Sequence, residues 1–190
     1  MIYLVTGGSG SGKSAYAEEK LCSLGNYNRI YLATMEVSDK EGRKRVERHR
    51  KLREGKAFTT IEQGKNIKEI KISENSLVLL ECMSNLLANE MYAPGGAGEN
   101  SVSEILEGVW NLDRQAKALV VVSNEVFSDL PVSKEMGRYL SYLGTINAAI
   151  AKQAAEVTEV VYGIPVIAKS IGAESRRKPH GINASTITLL

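Results

Sequence analysis

Gly7–Ser14 reads GGSGSGKS and follows directly on the apolar run Ile2–Thr6, and no other feature limits the fold of this chain so strongly. A loop that turns its backbone N–H groups inward around an anion needs conformations that glycine tolerates best. Gly7, Gly8, Gly10 and Gly12 supply that freedom, with Ser9 and Ser11 between them. Lys13 then opens a helix, so the free amides and dipole of that helix N-terminus face the same anion. In this pattern the Lys13 ammonium reaches the β- and γ-phosphates of ATP or GTP, and the Ser14 hydroxyl is a ligand for Mg²⁺. Strand, loop and helix in that order predict a phosphate cradle rather than a plain turn. Lys13 is thereby a catalytic candidate.

The rest of the chain fits an α/β domain around such a loop. Strand candidates are Ile2–Thr6, Arg29–Ala33, Leu77–Leu80, Leu119–Ser123, Glu159–Tyr162 and Val166–Ala168. Helix-length segments lie between the early ones, at Lys13–Leu24, Asp39–Glu54, Ser84–Met91 and Ser101–Ala116. Strand and helix in alternation predict a mainly parallel sheet covered on both faces. The unbroken apolar runs LVLL and LVVV suit fully buried central strands. Gly163 and Pro165 leave no room for a crossover helix between the last two strands, so an antiparallel hairpin is expected at the sheet edge. Met136, Leu140, Leu143, Ile150, Ala154 and Val157 follow helical spacing and are expected as one core-facing stripe. Ala93–Asn100 reads as a glycine-rich surface loop. At 190 residues the chain is expected to form one P-loop domain over 1–170, followed by a tail over 171–190.

Composition narrows the function classes. Lys and Arg total 24 against 22 Asp and Glu, and that near balance gives no global pull toward nucleic acid or membrane. Cys22 and Cys82 form no CxxC pair, so two free thiols in a reducing cytoplasm are expected. The start of the chain lacks the basic and long apolar regions of a targeting signal. No stretch approaches the ~20 apolar residues of a membrane span. The sequon at Asn183–Ser185 is therefore expected to be idle.

Two further features carry chemistry. Glu81 follows the buried run LVLL, where P-loop folds place an acid that holds Mg²⁺ directly or through water; the other reading is a carboxylate that caps the next helix. Arg43–Arg53 holds seven Lys or Arg against one Glu. A solvated charged face, a nucleic-acid contact and a guanidinium clamp on a triphosphate all fit that run. No aromatic residue interleaves with the charges, and the P-loop in the same domain favours the clamp. His49 sits inside the run. Its cationic neighbours disfavour the imidazolium, and a neutral imidazole is a competent nucleophile toward phosphorus.

These pieces together resemble the adenosylcobinamide kinase / adenosylcobinamide-phosphate guanylyltransferase family. The resemblance rests on LVTGGSGSGKS at Leu4–Ser14, YLAT at Tyr31–Thr34 and RVERH at Arg45–His49. It continues with LLEC at Leu79–Cys82, YAPGGAGEN at Tyr92–Asn100, SNEV at Ser123–Val126 and YGIP at Tyr162–Pro165. It implies a RecA-like P-loop domain assembled as a homotrimer. It also implies two reactions: phosphorylation of adenosylcobinamide, then transfer of GMP from GTP through an enzyme histidine to adenosylcobinamide phosphate. His49 falls on the guanylylated histidine. Thr34, Met35, Glu36, Arg50, Lys51, Arg53, Glu62 and Glu81 fall on nucleotide-site positions. The chain departs from the family at Phe127–Pro131, where a glycine-rich turn is usual, and at Thr145 and Ala148, which replace an Arg and a Gln. A single-function P-loop kinase and a RecA-like ATPase working on nucleic acid are the rival readings.

Overall fold

The computed structural model describes residues 1–35, 47, 51, 53–127 and 132–171. Its strands are β1 (Ile2–Thr6), β2 (Asn28–Ala33), β3 (Phe58–Glu62), β4 (Ser76–Glu81), β5 (Ala118–Val122), β6 (Glu156–Val161) and β7 (Ile164–Ser170). The α-helices lying wholly within these residues are α1 (Lys13–Ser23), α2 (Met83–Tyr92), α3 (Ser101–Gln115) and α4 (Lys134–Gln153). All seven strands join one sheet in the order β3-β2-β4-β5-β1-β6-β7. Every neighbouring pair is parallel except β6 and β7, which form the expected antiparallel hairpin at one edge. Parallel pairing brings the carboxyl ends of β1, β2, β4 and β5 to one rim, where ligands of open α/β sheets bind.

Strand periodicity sorts the core into two layers. Leu4, Leu32, Val78, Leu80, Leu119 and Val121 face α2, α3 and α4, meeting Met83, Leu86, Val109, Leu112, Leu143 and Ile150. Tyr3, Val5, Tyr31, Leu77, Leu79, Val120 and Val122 face α1, meeting Ala17 and Leu21. Each of the fully buried leucines contributes about 1.5–3 kcal/mol through removal from water. β4 is buried at all six positions, which is why its carboxyl end makes a rigid platform.

Several boundaries differ from expectation. β3 adds a strand beyond those expected from the sequence: in FTTIE only Phe58 and Ile61 are apolar, at a spacing of three, and the strand is half exposed at the sheet edge. β6 begins at Glu156, and β7 extends over Ile164–Ser170 because hairpin pairing runs past the apolar segment, with an irregularity between Val157 and Thr158. The expected stripe through α4 is shorter than its spacing suggests. Leu143, Ile146 and Ile150 are buried, but Met136 is exposed, Ala154 ends the helix, and Val157 already belongs to β6. The Ser133 hydroxyl accepts from the Met136 amide and starts the helix as an N-cap. The helix expected over Asp39–Glu54 lies largely outside the described residues. Among those residues, no helix is long and apolar enough to cross a membrane.

Candidate active site

The glycine loop leaves β1 and closes on itself, with the Ser11 amide donating to the Gly8 carbonyl at 3.2 Å. Gly12 enters α1 in a left-handed conformation, φ 91°, that a side chain would strain. Two neighbours brace the loop from outside. The Glu125 amide donates to the Gly7 carbonyl at 3.0 Å, and the Gly163 amide in the β6–β7 turn donates to the Ser11 carbonyl at 2.8 Å. SNEV and YGIP thus both hold the cradle. Ser9 and Gly10 stay exposed at its mouth, and Lys13 is buried beneath, its ammonium donating to the Gly8 carbonyl at 3.1 Å. Burial lowers the Lys13 pKa, against the opposing pull of Cys82 and Glu81.

Glu81 closes the floor. It ends β4 on the α1 side of the sheet, and the Ser14 hydroxyl donates to its Oε1. Its other oxygen accepts from the Tyr31 hydroxyl at 3.2 Å. The capping alternative is excluded by position, because the residue preceding α2 in extended conformation is Cys82. A hydroxyl and a carboxylate side by side are the hard oxygen donors that Mg²⁺ takes, so these residues fit the ion. Arg53 packs over the Tyr31 ring, its guanidinium carbon 3.5 Å from the centroid.

A second polar cluster lies at the start of α2. The Asn124 amide donates to the Ser84 hydroxyl at 2.7 Å, and that hydroxyl lies 3.1 Å from the Cys82 sulfur. Burial raises the Cys82 pKa and keeps it a thiol, with hydrogen bonding to Ser84 opposing. Tyr139 donates to the Ser84 carbonyl at 3.1 Å, and its phenol is pushed up to about 12, chiefly by burial. Spacing alone singles out neither Ser84 nor Tyr139; Tyr31 and Asn124 lie inside the motifs YLAT and SNEV, which by themselves assign them no role.

The sequence candidates separate into groups. Gly7, Gly8, Ser9, Gly10, Ser11, Gly12, Lys13, Ser14, Glu81 and Arg53 come together around β1, β4 and Tyr31. Thr34 is buried, and its hydroxyl donates to the Cys82 carbonyl at 2.8 Å while accepting from the Cys82 amide at 2.7 Å. Its amide donates to the Glu81 carbonyl at 3.0 Å and its carbonyl accepts from Asn89 at 2.8 Å, so each polar group of Thr34 has a protein partner. Glu62 ends β3 in register with Ala33, which also pairs with Glu81. Glu62 therefore stands two strands from Glu81, roughly 10 Å along the rim. Lys51 is exposed. Glu36, His49 and Arg50 lie outside the described residues. Among the described residues, five buried side-chain polar atoms lack a hydrogen-bond partner, and three of them, Ser11 Oγ, Arg53 Nη1 and Ser123 Oγ, belong to this carboxyl-end region.

Comparison with known proteins bears on this geometry. A family model described as cobinamide kinase / cobinamide phosphate guanyltransferase matches residues 3–167. The chain is 32% identical over 182 residues to the bifunctional adenosylcobalamin biosynthesis protein CobU of Escherichia coli strain K12, covering 87% of this chain and 98% of the relative. It is 29% identical over 181 residues to the protein of the same name from Salmonella typhimurium strain LT2, with the same coverage of both chains. Among solved structures, an ATPase from the type III secretion system of pathogenic bacteria is similar at a TM-score of 0.51 and 13% identity, covering 91% of this chain and 59% of that one. Likeness at that identity concerns the fold, which is RecA-like with a P-loop.

Proposed function

The chain belongs to the cobinamide kinase / cobinamide phosphate guanyltransferase family, and from that membership we propose that its single P-loop serves two successive reactions of adenosylcobalamin biosynthesis. In the first, ATP or GTP phosphorylates the hydroxyl of adenosylcobinamide. In the second, the imidazole of His49 attacks the α-phosphorus of GTP and releases pyrophosphate, and adenosylcobinamide phosphate then takes the GMP from the imidazole. The observation that carries this reading is the meeting of Lys13, Ser14 and Glu81 beneath the glycine loop in a chain that matches the family over residues 3–167.

The residues have separable tasks. The loop amides and the Lys13 ammonium neutralise charge on the terminal phosphates in both reactions. Ser14 and Glu81 would hold Mg²⁺, which supplies further charge neutralisation when bound. Arg53 Nη1, which has no hydrogen-bond partner among the described residues, supports a role in holding nucleotide, because a buried donor left unmade costs about 1–3 kcal/mol that an anion removes. Thr34, Met35, Glu36, Arg50, Lys51 and Glu62 complete the nucleotide site in this reading. Dividing GMP transfer into two displacements lowers each barrier and leads to ping-pong kinetics.

We also assign the enzyme to the cytoplasm as a homotrimer. Free Cys22 and Cys82 support a reducing compartment. Ile164, Val166 and Ile167 on the edge strand β7 are 65%, 50% and 59% exposed, an apolar surface that suits a subunit contact.

Intact-protein mass after incubation with GTP and Mg²⁺ tests the proposal. The expected result is an acid-labile GMP adduct that is absent in His49→Ala, while His49→Ala retains cobinamide phosphorylation within about tenfold, or ~1.4 kcal/mol of barrier. An adduct that persists in His49→Ala overturns the assignment.

A further inference from the structure

We propose that Tyr31 is a positioning residue that ties the metal-binding carboxylate to the arginine arm of the nucleotide site, so that the two are held in one geometry. The inference rests on the roles assigned above to Glu81 and Arg53. Tyr31 lies in β2, 4% exposed, and engages both with different parts of its side chain. Its hydroxyl donates to Glu81 Oε2 at 3.2 Å, while its ring face carries the Arg53 guanidinium at 3.5 Å.

Three observations separate this from ordinary core packing. First, Glu81 divides its oxygens, Oε1 toward Ser14 and Oε2 toward Tyr31. A donor on one oxygen fixes the carboxylate plane and leaves the other directed at the phosphate cradle. Second, the phenol is the donor of this pair, because a carboxylate has only acceptor oxygens to offer it. Third, the ring is itself held, since Phe58 of β3 meets it edge-on, with centroids 6.4 Å apart and planes at 87°. Arg53, 8% exposed, thus rests on a fixed platform with Nη1 unengaged by any acceptor among the described residues. A phenylalanine would fill the same core volume and support the arginine, but it would leave Glu81 without its second hydroxyl donor.

The test uses that difference. The dissociation constant of a non-hydrolysable GTP analogue is measured by calorimetry, with and without Mg²⁺, for wild type, Tyr31→Phe and Tyr31→Leu. Tyr31→Phe loses only the hydroxyl, so the gain in affinity on adding Mg²⁺ should shrink by about tenfold while Mg²⁺-free affinity stays within about twofold. Tyr31→Leu also loses the platform, so its Mg²⁺-free affinity should fall by about a further tenfold. Glu81→Gln and Arg53→Ala are measured alongside. If they leave the metal-dependent and metal-free affinities at wild-type values, the site reading itself fails. If they respond and Tyr31→Phe keeps the full Mg²⁺ gain, or Phe and Leu behave alike, the positioning role is overturned. Should Tyr31→Leu fail to fold by melting temperature, the Tyr31→Phe arm decides alone.

Discussion

Two buried carboxylates stand within ten positions of each other, and they are held in opposite ways. Glu90, at 1% exposure, accepts from the Asn66 amide at 2.6 Å and the Ala97 amide at 3.0 Å. Both donors are backbone groups, fixed in place, and together they pin two loops to the far end of α2. Asn89 beside it donates to the Thr34 carbonyl at 2.8 Å and the Gly64 carbonyl at 3.0 Å. Glu81, at 7% exposure, counts the hydroxyls of Ser14 and Tyr31 among its partners, and its charge opposes the lowering that burial imposes on the Lys13 pKa. Hydroxyls rotate and can exchange one partner for another; backbone amides in a packed loop cannot. A carboxylate whose donors are backbone amides is architecture, and we take one whose donors include side-chain hydroxyls beside a buried cation as open to a ligand.

The strongest way to break this contrast is through Lys13. Lys13→Ala should abolish cobinamide phosphorylation and GMP labelling together, a loss of at least ~10³-fold in each, because both need the same triphosphate charge neutralised. Survival of either activity near the wild-type level would mean two separate nucleotide sites. Stability should move the other way. Burial lowers the folded-state pKa of Lys13, so the unfolded chain binds more protons between that value and the ordinary lysine value, and stability rises with pH across the interval. Removing the ammonium relieves that cost, so the ligand-free variant should melt no lower than wild type.

The paired carboxylates give the next largest effects, and they should cross. Glu81→Gln should lower kinase turnover by roughly a hundredfold while changing stability by less than ~1 kcal/mol. Glu90→Gln presents an NH₂ group where one of two amides needs an acceptor, so it should cost about 3 kcal/mol, or on the order of 10 °C in melting temperature. Its nucleotide affinity at a temperature where it is folded should stay near wild type. Kinase assays, thermal melts and GTP-analogue titrations on both variants check the crossing, and equal behaviour of the two would erase the distinction between them.

The cradle was legible because its chemistry is local: glycines, Lys13 and Ser14 act at fixed offsets along the chain, and a strand-end acid such as Glu81 is marked by the apolar run before it. The parallel sheet and the closing hairpin were legible for the same reason, from run length and from Gly163 and Pro165. What was not legible depends on partners distant in sequence. Tyr31 reads as one more β-strand aromatic until Glu81, 50 residues on, proves to accept its hydroxyl. Glu90 reads as a solvated helical acid until the Asn66 and Ala97 amides arrive from two loops. Gly96 reads as loop flexibility, yet a Cβ there would stand 2.5 Å from the Glu90 carbonyl oxygen, so the loop needs glycine for close approach to α2. β3 carries too little apolar pattern to be read alone and owes its place to pairing with β2.

The smallest effect should come from the C-terminal segment, which we take as lying outside the domain. The family match ends at residue 167, β7 ends at Ser170, and the buried hydrophobic residues among those described all lie between Ile2 and Val160. One described contact reaches past β7: the Ile171 amide donates to the Ala155 carbonyl at 2.8 Å. Truncation after Ile171 keeps that bond, and truncation after Ser170 removes it. The first should leave melting temperature and GTP-analogue affinity at wild-type values. The second should cost about 1 kcal/mol at most, the worth of one exposed hydrogen bond, and leave affinity unchanged. A fall in melting temperature well beyond that in the first truncation, or a change in sedimentation coefficient of the assembly, would show that residues 172–190 pack on the domain or on a neighbouring subunit, and the boundary at β7 would then be wrong.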